Sequence, residues 1–218
     1  MKPSEPKWGS LRKHPLPGWF DDAKLGIFVH WGLYSVPAYA PPGARFYADA
    51  IAEEGFEYHF KNKSYAEWYQ NTLRIPGSPT RNYHERTFGR DFPYEKFADQ
   101  FNEAARSWDP ASWARTFKRV HARYVVLVTK HHDGFLLWHS DAPNPKIQGY
   151  EAGRDVAGEA RAAFKREGLR FGAYYSGALD WSFTPQPITD LASMACNGPA
   201  SAEYREYVAA WTPTIRAP

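Results

Sequence analysis

The sequence predicts an α/β protein with parallel strands and a site at their C-terminal ends. Three observations predict it. Apolar runs at 25–31, 123–130 and 170–176 alternate with stretches of helical periodicity, the order of βαβ units. The first two runs are nearly continuous rather than alternating, as in strands covered on both faces. Each run ends in a polar cluster: His30-Trp31-Gly32, Lys130-His131-His132-Asp133-Gly134 and Tyr174-Tyr175-Ser176-Gly177. In parallel α/β barrels that end carries the active site.

The elements follow in order. Residues 1–18 are polar and hold Pro3, Pro6, Pro15 and Pro17, which predicts an extended arm. Leu25 to Trp31 is the first strand, and Gly32 interrupts it. Residues 33–92 read as irregular and rich in Pro, Gly and Tyr; a connection this long is often functional. Within it, Ser64 to Leu73 fits a short helix capped by Ser64, with Glu67 at capping-box spacing. A second short helix covers Pro93 to Asn102. Asp109-Pro110 predicts an N-cap followed by proline at the first helical position. Trp113, Phe117 and Val120 then form one apolar stripe. That helix leads into the strand 123–130. After a loop at 131–153, Asp155 to Glu167 is helical, with Val156, Ala160, Ala163 and Phe164 on one face. Gly168 is placed to end it. The third strand is followed by a loop at 184–201 and a helix at 202–211. The tail, 212–218, shows no pattern.

Composition excludes several function classes. Apolar residues make up 43% of 218, enough for a sizeable core. Lysine and arginine number 27 against 24 acidic residues, interspersed, so no footprint for nucleic acid or an anionic membrane is seen. No run approaches the ~20 apolar residues of a membrane span. The start lacks the apolar segment of a signal peptide, which sets cytoplasm as the expected compartment. The single cysteine, Cys196, excludes an internal disulfide. Aromatic residues reach 17%. Flat rings suit the C–H faces of sugars, and they also fill cores.

The polar residues at the strand ends each have two readings. His30 is either a site residue or a buried histidine satisfied by backbone. His131 and His132 would suit a metal as residue types. Adjacent strand residues point to opposite faces, however, and no ligand-spacing motif accompanies them. No metal and no cofactor are therefore assigned. Asp133-Gly134 reads as a turn, with Asp133 shaping the loop. Glu67-Trp68 is either a capping glutamate beside a core ring or a carboxylate paired with a sugar-facing ring. Of Tyr174 and Tyr175, only one can face the site.

Three stretches together resemble the α-L-fucosidases of glycoside hydrolase family 29. They are 19–37 (WFDDAKLGIFVHWGLYSVP) with Glu67-Trp68-Tyr69, 124–138 (YVVLVTKHHDGFLLW) and 168–183 (GLRFGAYYSGALDWSF). The resemblance implies a partial (β/α)8 TIM-like barrel over 19–211, between the arm and the tail. It implies a pocket for L-fucose in which His30, Glu67, His131 and His132 bind hydroxyls. Trp68 would be a wall, and Tyr174 the floor, with Tyr175 as the alternative. The implied partner is a fucosylated glycan, hydrolysed with retention of configuration.

Retaining glycosidases use two carboxylates about 5–5.5 Å apart. The resemblance places the nucleophile on the next strand, in a Trp-x-Asp motif, and the acid/base later. No such strand follows 202–208 here. The expectation is a chain truncated before both groups, so no residue receives a catalytic role; Asp133, Asp180 and Glu67 are not promoted to one. Such a piece would have open strand edges and would pair with a complementing C-terminal fragment or another copy. The alternative is a non-catalytic fucose-binding remnant. A histidine-based metallohydrolase is a third reading.

Overall fold

The structure is a computed structural model, and it describes residues 7–13, 15–43, 47–196 and 202–211. The tail expected at 212–218 lies outside the described residues. Three parallel strands form one sheet in the order β1 (Gly26–Val29), β2 (Tyr124–Lys130) and β3 (Arg170–Tyr175). Ile27 pairs with Val125 and Val125 with Phe171, so these three share one face; Val29 and Leu127 follow on it.

Helices pack on that face. Among the described residues of the stretch read as extended stands one helical turn, α1 (Trp8–Leu11), followed by α2 (Gly18–Ala23). The region 33–92 is far more ordered than its proline and glycine content suggests. It holds α3 (Tyr47–Lys61), α4 (Tyr69–Arg74) and α5 (Pro79–Thr87). Gly55 breaks α3 with φ 85°. Ser78 caps α5 by accepting from the Arg81 amide at 3.0 Å, with Pro79 opening the helix. Next come α6 (Phe97–Arg106), α7 (Pro110–Arg119) and α8 (Val156–Arg166). Asp109 accepts from the Ala111 amide at 2.9 Å, so the predicted cap forms, and Asp155, read as the first helical residue, caps α8 by accepting from the Gly158 amide at 2.9 Å. Val156, Ala160, Ala163 and Phe164 are buried as the stripe required, and Gly168 has φ 73°. A further helix, α9 (Leu191–Cys196), stands in the stretch read as loop, and α10 (Ala202–Trp211) follows.

Three expectations are corrected. β1 is not covered on both faces: it is an edge of the sheet, and Phe28 is 51% exposed. Val120 is not in the buried stripe of α7. It caps that helix and is exposed, while Trp113 and Phe117 pack on the core. Ser64 caps nothing: Tyr65 in extended geometry opens a 3-10 turn, Ala66–Trp68, with no side-chain cap. The capping-box reading of Glu67 falls with it.

The core is aromatic. Trp31 lies 5.0 Å from both Phe101 and Trp108 and 5.2 Å from Trp113, centroid to centroid. Removing Phe101 would leave a cavity between the Trp31 and Phe135 rings. Phe101→Ala should lose about 3–5 kcal/mol in urea unfolding followed by tryptophan fluorescence. Val120→Ala should stay within about 0.5 kcal/mol.

Candidate functional site

The site begins where β2 ends. Lys130 closes the strand, and the chain then doubles back: Leu136 bridges Lys130 antiparallel and Glu151 parallel. The reversal needs Gly134, which has φ 84°. A Cβ there would also fall 2.8 Å from Asp180 Oδ1. Asp133 is buried beneath the turn, where it accepts from the Tyr94 hydroxyl at 2.9 Å and the Phe135 amide at 3.2 Å. Burial pushes its carboxyl up to about 6. It therefore shapes the loop, as read.

This turn delivers His131 and His132 beside His30. The His30 and His131 ring centroids are 5.7 Å apart, and those of His131 and His132 are 4.1 Å apart. His30 is exposed, which rules out the buried-histidine reading. Trp68 stands 5.4 Å from His132, edge to face, and Trp181 stands 5.3 Å from both. Tyr174 reaches the cluster through Phe28, 5.7 Å away, which is 5.1 Å from His30. Tyr175 points elsewhere, against Trp138 and under the Lys130 ammonium. Glu67 lies close enough to the buried Tyr34 phenol to help burial and Asp133 raise its pKa. Tyr34 in turn is 5.4 Å from His131.

Electrostatics keep the histidine pair neutral. Burial, then the neighbouring His132, His30 and Lys130, holds His131 well below the ordinary imidazole value. Burial, Lys130, His30 and Lys63 push His132 down to about 3. The Nδ1 of His131, the hydroxyl of Tyr34 and the indole nitrogen of Trp181 are buried without hydrogen-bond partners among the described residues. Among the described residues, no three His, Cys, Asp or Glu side chains gather as metal ligands do.

A buried ion pair fixes the far wall. Lys130 Nζ is 2.7 Å from Asp180 Oδ2, and both side chains are 0% exposed. The same ammonium donates to the Ser176 carbonyl at 2.9 Å. Asp180 also accepts from the Ser182 amide and hydroxyl. The Trp181 amide donates to the His132 carbonyl at 2.7 Å. The loop after β3 is thus tied to the histidine turn at both ends.

Comparison with known proteins places this arrangement. The family model for α-L-fucosidase matches residues 1–216. The chain belongs to the α-L-fucosidase family. It is 38% identical over 189 residues to an α-L-fucosidase of Dictyostelium discoideum, covering 85% of this chain and 36% of that one. It is 37% identical over 188 residues to the human tissue α-L-fucosidase, covering 85% and 34%. It superposes on a Thermotoga maritima α-fucosidase crystallised in complex with fucose with TM-score 0.82 and 44% identity, covering 98% of this chain and 46% of that one. The chain thus spans about a third of these curated relatives and just under half of the solved structure.

Within this fucosidase-family chain, the sequence reading missed the supports of the site. Lys130 and Ser176 read only as the polar ends of their strands. Lys63 is almost buried beside Trp68, its ammonium 4.7 Å from that ring, and burial lowers its amine to about 8. The available signal was a lysine inside an otherwise apolar strand end, since a buried lysine needs a carboxylate partner.

The neutral histidines make stability depend on pH. A His whose folded pKa lies below its unfolded value binds a proton more readily when unfolded. Its contribution is present above about 6.5 and is lost as pH falls towards 3. His132→Asn should therefore flatten the stability–pH profile over that window by up to about 1.4 kcal/mol per pH unit. Chemical unfolding from pH 7 down to 4 measures it; an unchanged slope would contradict a buried neutral His132.

Proposed function

We propose that this chain forms the L-fucose-binding part of an α-L-fucosidase, and that its strands belong to a (β/α)8-like barrel. The observation that carries the reading is the assembly of His30, His131, His132 and Trp68 in a chain 44% identical to an α-fucosidase crystallised with fucose. In this reading His30, Glu67, His131 and His132 hold sugar hydroxyls. A neutral imidazole offers one donor and one acceptor, and a carboxylate only accepts, so together they discriminate hydroxyl geometry. Trp68 walls the sugar. Tyr174, half exposed beside Phe28, meets its apolar side.

The barrel reading is supported by the sheet itself. β1 and β3 are its edges, and the face carrying Phe28 and Tyr174 is exposed among the described residues. Further strands, from the same or a complementing polypeptide, would cover both. Hydrolysis of a fucosylated glycan with retention is the activity proposed for the whole protein.

One observation favours a second reading, binding without cleavage by this chain. Asp133 and Asp180 are both buried and engaged in structural contacts, which leaves Glu67 as the carboxylate beside the cluster. Two carboxylates are needed for retention.

Titration calorimetry with methyl α-L-fucoside tests the pocket. His131→Ala should weaken binding about tenfold, one charge-neutral hydrogen bond's worth; unaltered affinity would remove His131 from the pocket. Hydrolysis of 4-nitrophenyl α-L-fucoside tests the second reading. The 218-residue chain should bind this compound without releasing nitrophenol. Steady turnover would reject the second reading and require a carboxylate pair within the chain.

A further inference from the structure

Ser176 sits behind His132, in contact with the Nδ1 of its ring. The serine hydroxyl has one hydrogen and two lone pairs. It lies 2.5 Å from His132 Nδ1 and 3.1 Å from the Leu179 carbonyl oxygen. A carbonyl only accepts, so the single hydroxyl proton is directed at Leu179. Ser176 must then accept from His132, and Nδ1 carries the hydrogen. The reverse assignment would leave the Ser176 and Leu179 oxygens facing one another at 3.1 Å with no proton between them, and Leu179 with only the longer 3.4 Å bond from Lys130 Nζ. With the ring neutral, the lone pair is on Nε2, which has no hydrogen-bond partner among the described residues.

Ser176 is itself held on three sides. Its amide donates to the Lys130 carbonyl at 3.0 Å, its carbonyl accepts from Lys130 Nζ, and Lys130 is locked to Asp180. The Trp181 amide holds the His132 carbonyl from the same loop. Neither ring flip nor tautomer exchange is possible without breaking one of these bonds.

We infer that Ser176, braced by the Lys130–Asp180 pair, is a positioning residue that holds His132 as the Nδ1–H tautomer, so that Nε2 acts purely as an acceptor for a ligand hydroxyl. The ligand's being a sugar rests on the function proposed above; the tautomer does not. The groups that face His132 are the neighbouring His131, Lys130 at the end of β2, His30 just past β1, Lys63 after α3, and the rings of Trp68 and Trp181. The two ammonium groups and the burial all disfavour a second proton, consistent with a permanent acceptor.

Long-range 1H–15N NMR on the uniformly labelled full chain reads the tautomer directly. His132 should show a protonated Nδ1 and a bare Nε2. Ser176→Ala should shift the ring towards the Nε2–H form and weaken methyl α-L-fucoside about tenfold. Ser176→Thr, which keeps the hydroxyl, should restore both. A bare Nδ1 in the unmodified chain would overturn the inference with no variant needed. An unchanged tautomer in Ser176→Ala would remove Ser176 from the role. If the tautomer is as expected but the unmodified chain binds no fucoside, the fucose reading fails while the assignment of His132 stands.

Discussion

A lysine and an aspartate sealed from water organise the whole site. Taking both charges out of solvent is expensive, and their attraction offsets that only with good geometry and further hydrogen bonds. Here both conditions hold. Lys130 adds the Ser176 carbonyl and lies against the Tyr175 and Tyr204 rings; Asp180 adds the Ser182 amide and hydroxyl. The pair is therefore best understood through what it orders rather than as a net source of stability. It joins the end of β2 to the loop after β3, and through that loop to α10. Gly134, pressed against the Asp180 carboxylate, has no room for a side chain for the same reason.

The aromatic surplus turns out to serve two purposes. Most rings build the core. Trp31, Trp108 and Trp113 bind the first strand to the helices, and His84 sits among Tyr69, Phe88, Phe92 and Phe97. That histidine is a structural one: its Nε2 donates to the Phe92 carbonyl, so its Nδ1 accepts from Tyr69. A smaller set, Phe28, Trp68, Tyr174 and Trp181, borders the histidine cluster. Composition alone does not separate the two sets; the fold does. The division follows the sheet: rings on the helix-covered face are core, and rings on the open face and its C-terminal rim surround the site.

What the sequence reveals is what is local. The cap at Asp109, the Gly168 stop and the buried stripe of α8 depend on neighbours within a few residues, and all are legible. The same logic applied to Ser78-Pro79 finds α5, but the surrounding proline and glycine content points to an irregular stretch and obscures it. β1 illustrates the converse. Its apolar run is real, yet burial on two faces is a property of neighbouring elements, and an edge strand has fewer of them. The convergence of His30, His131 and His132 is legible because strand ends in a parallel sheet share one rim. The partners of those histidines are not. Ser176, Lys130 and Asp180 meet across a separation of nearly 50 residues, and only the register of β2 on β3 brings them together.

The chemistry of the site follows from this division of labour. An imidazole free to rotate and titrate would present a donor, an acceptor or a cation, and would distinguish hydroxyl groups poorly. Burial removes the cation from the available states of His131 and His132. The hydroxyl of Ser176 removes one tautomer of His132, and the ion pair behind it removes the freedom to rotate. Each restriction is imposed by a residue on a rigid strand or its immediate continuation, so orientation is in place before a ligand arrives. Under the proposed function, a pocket made this way would recognise a neutral deoxy sugar by the pattern of its hydroxyls, with no charge required on the ligand.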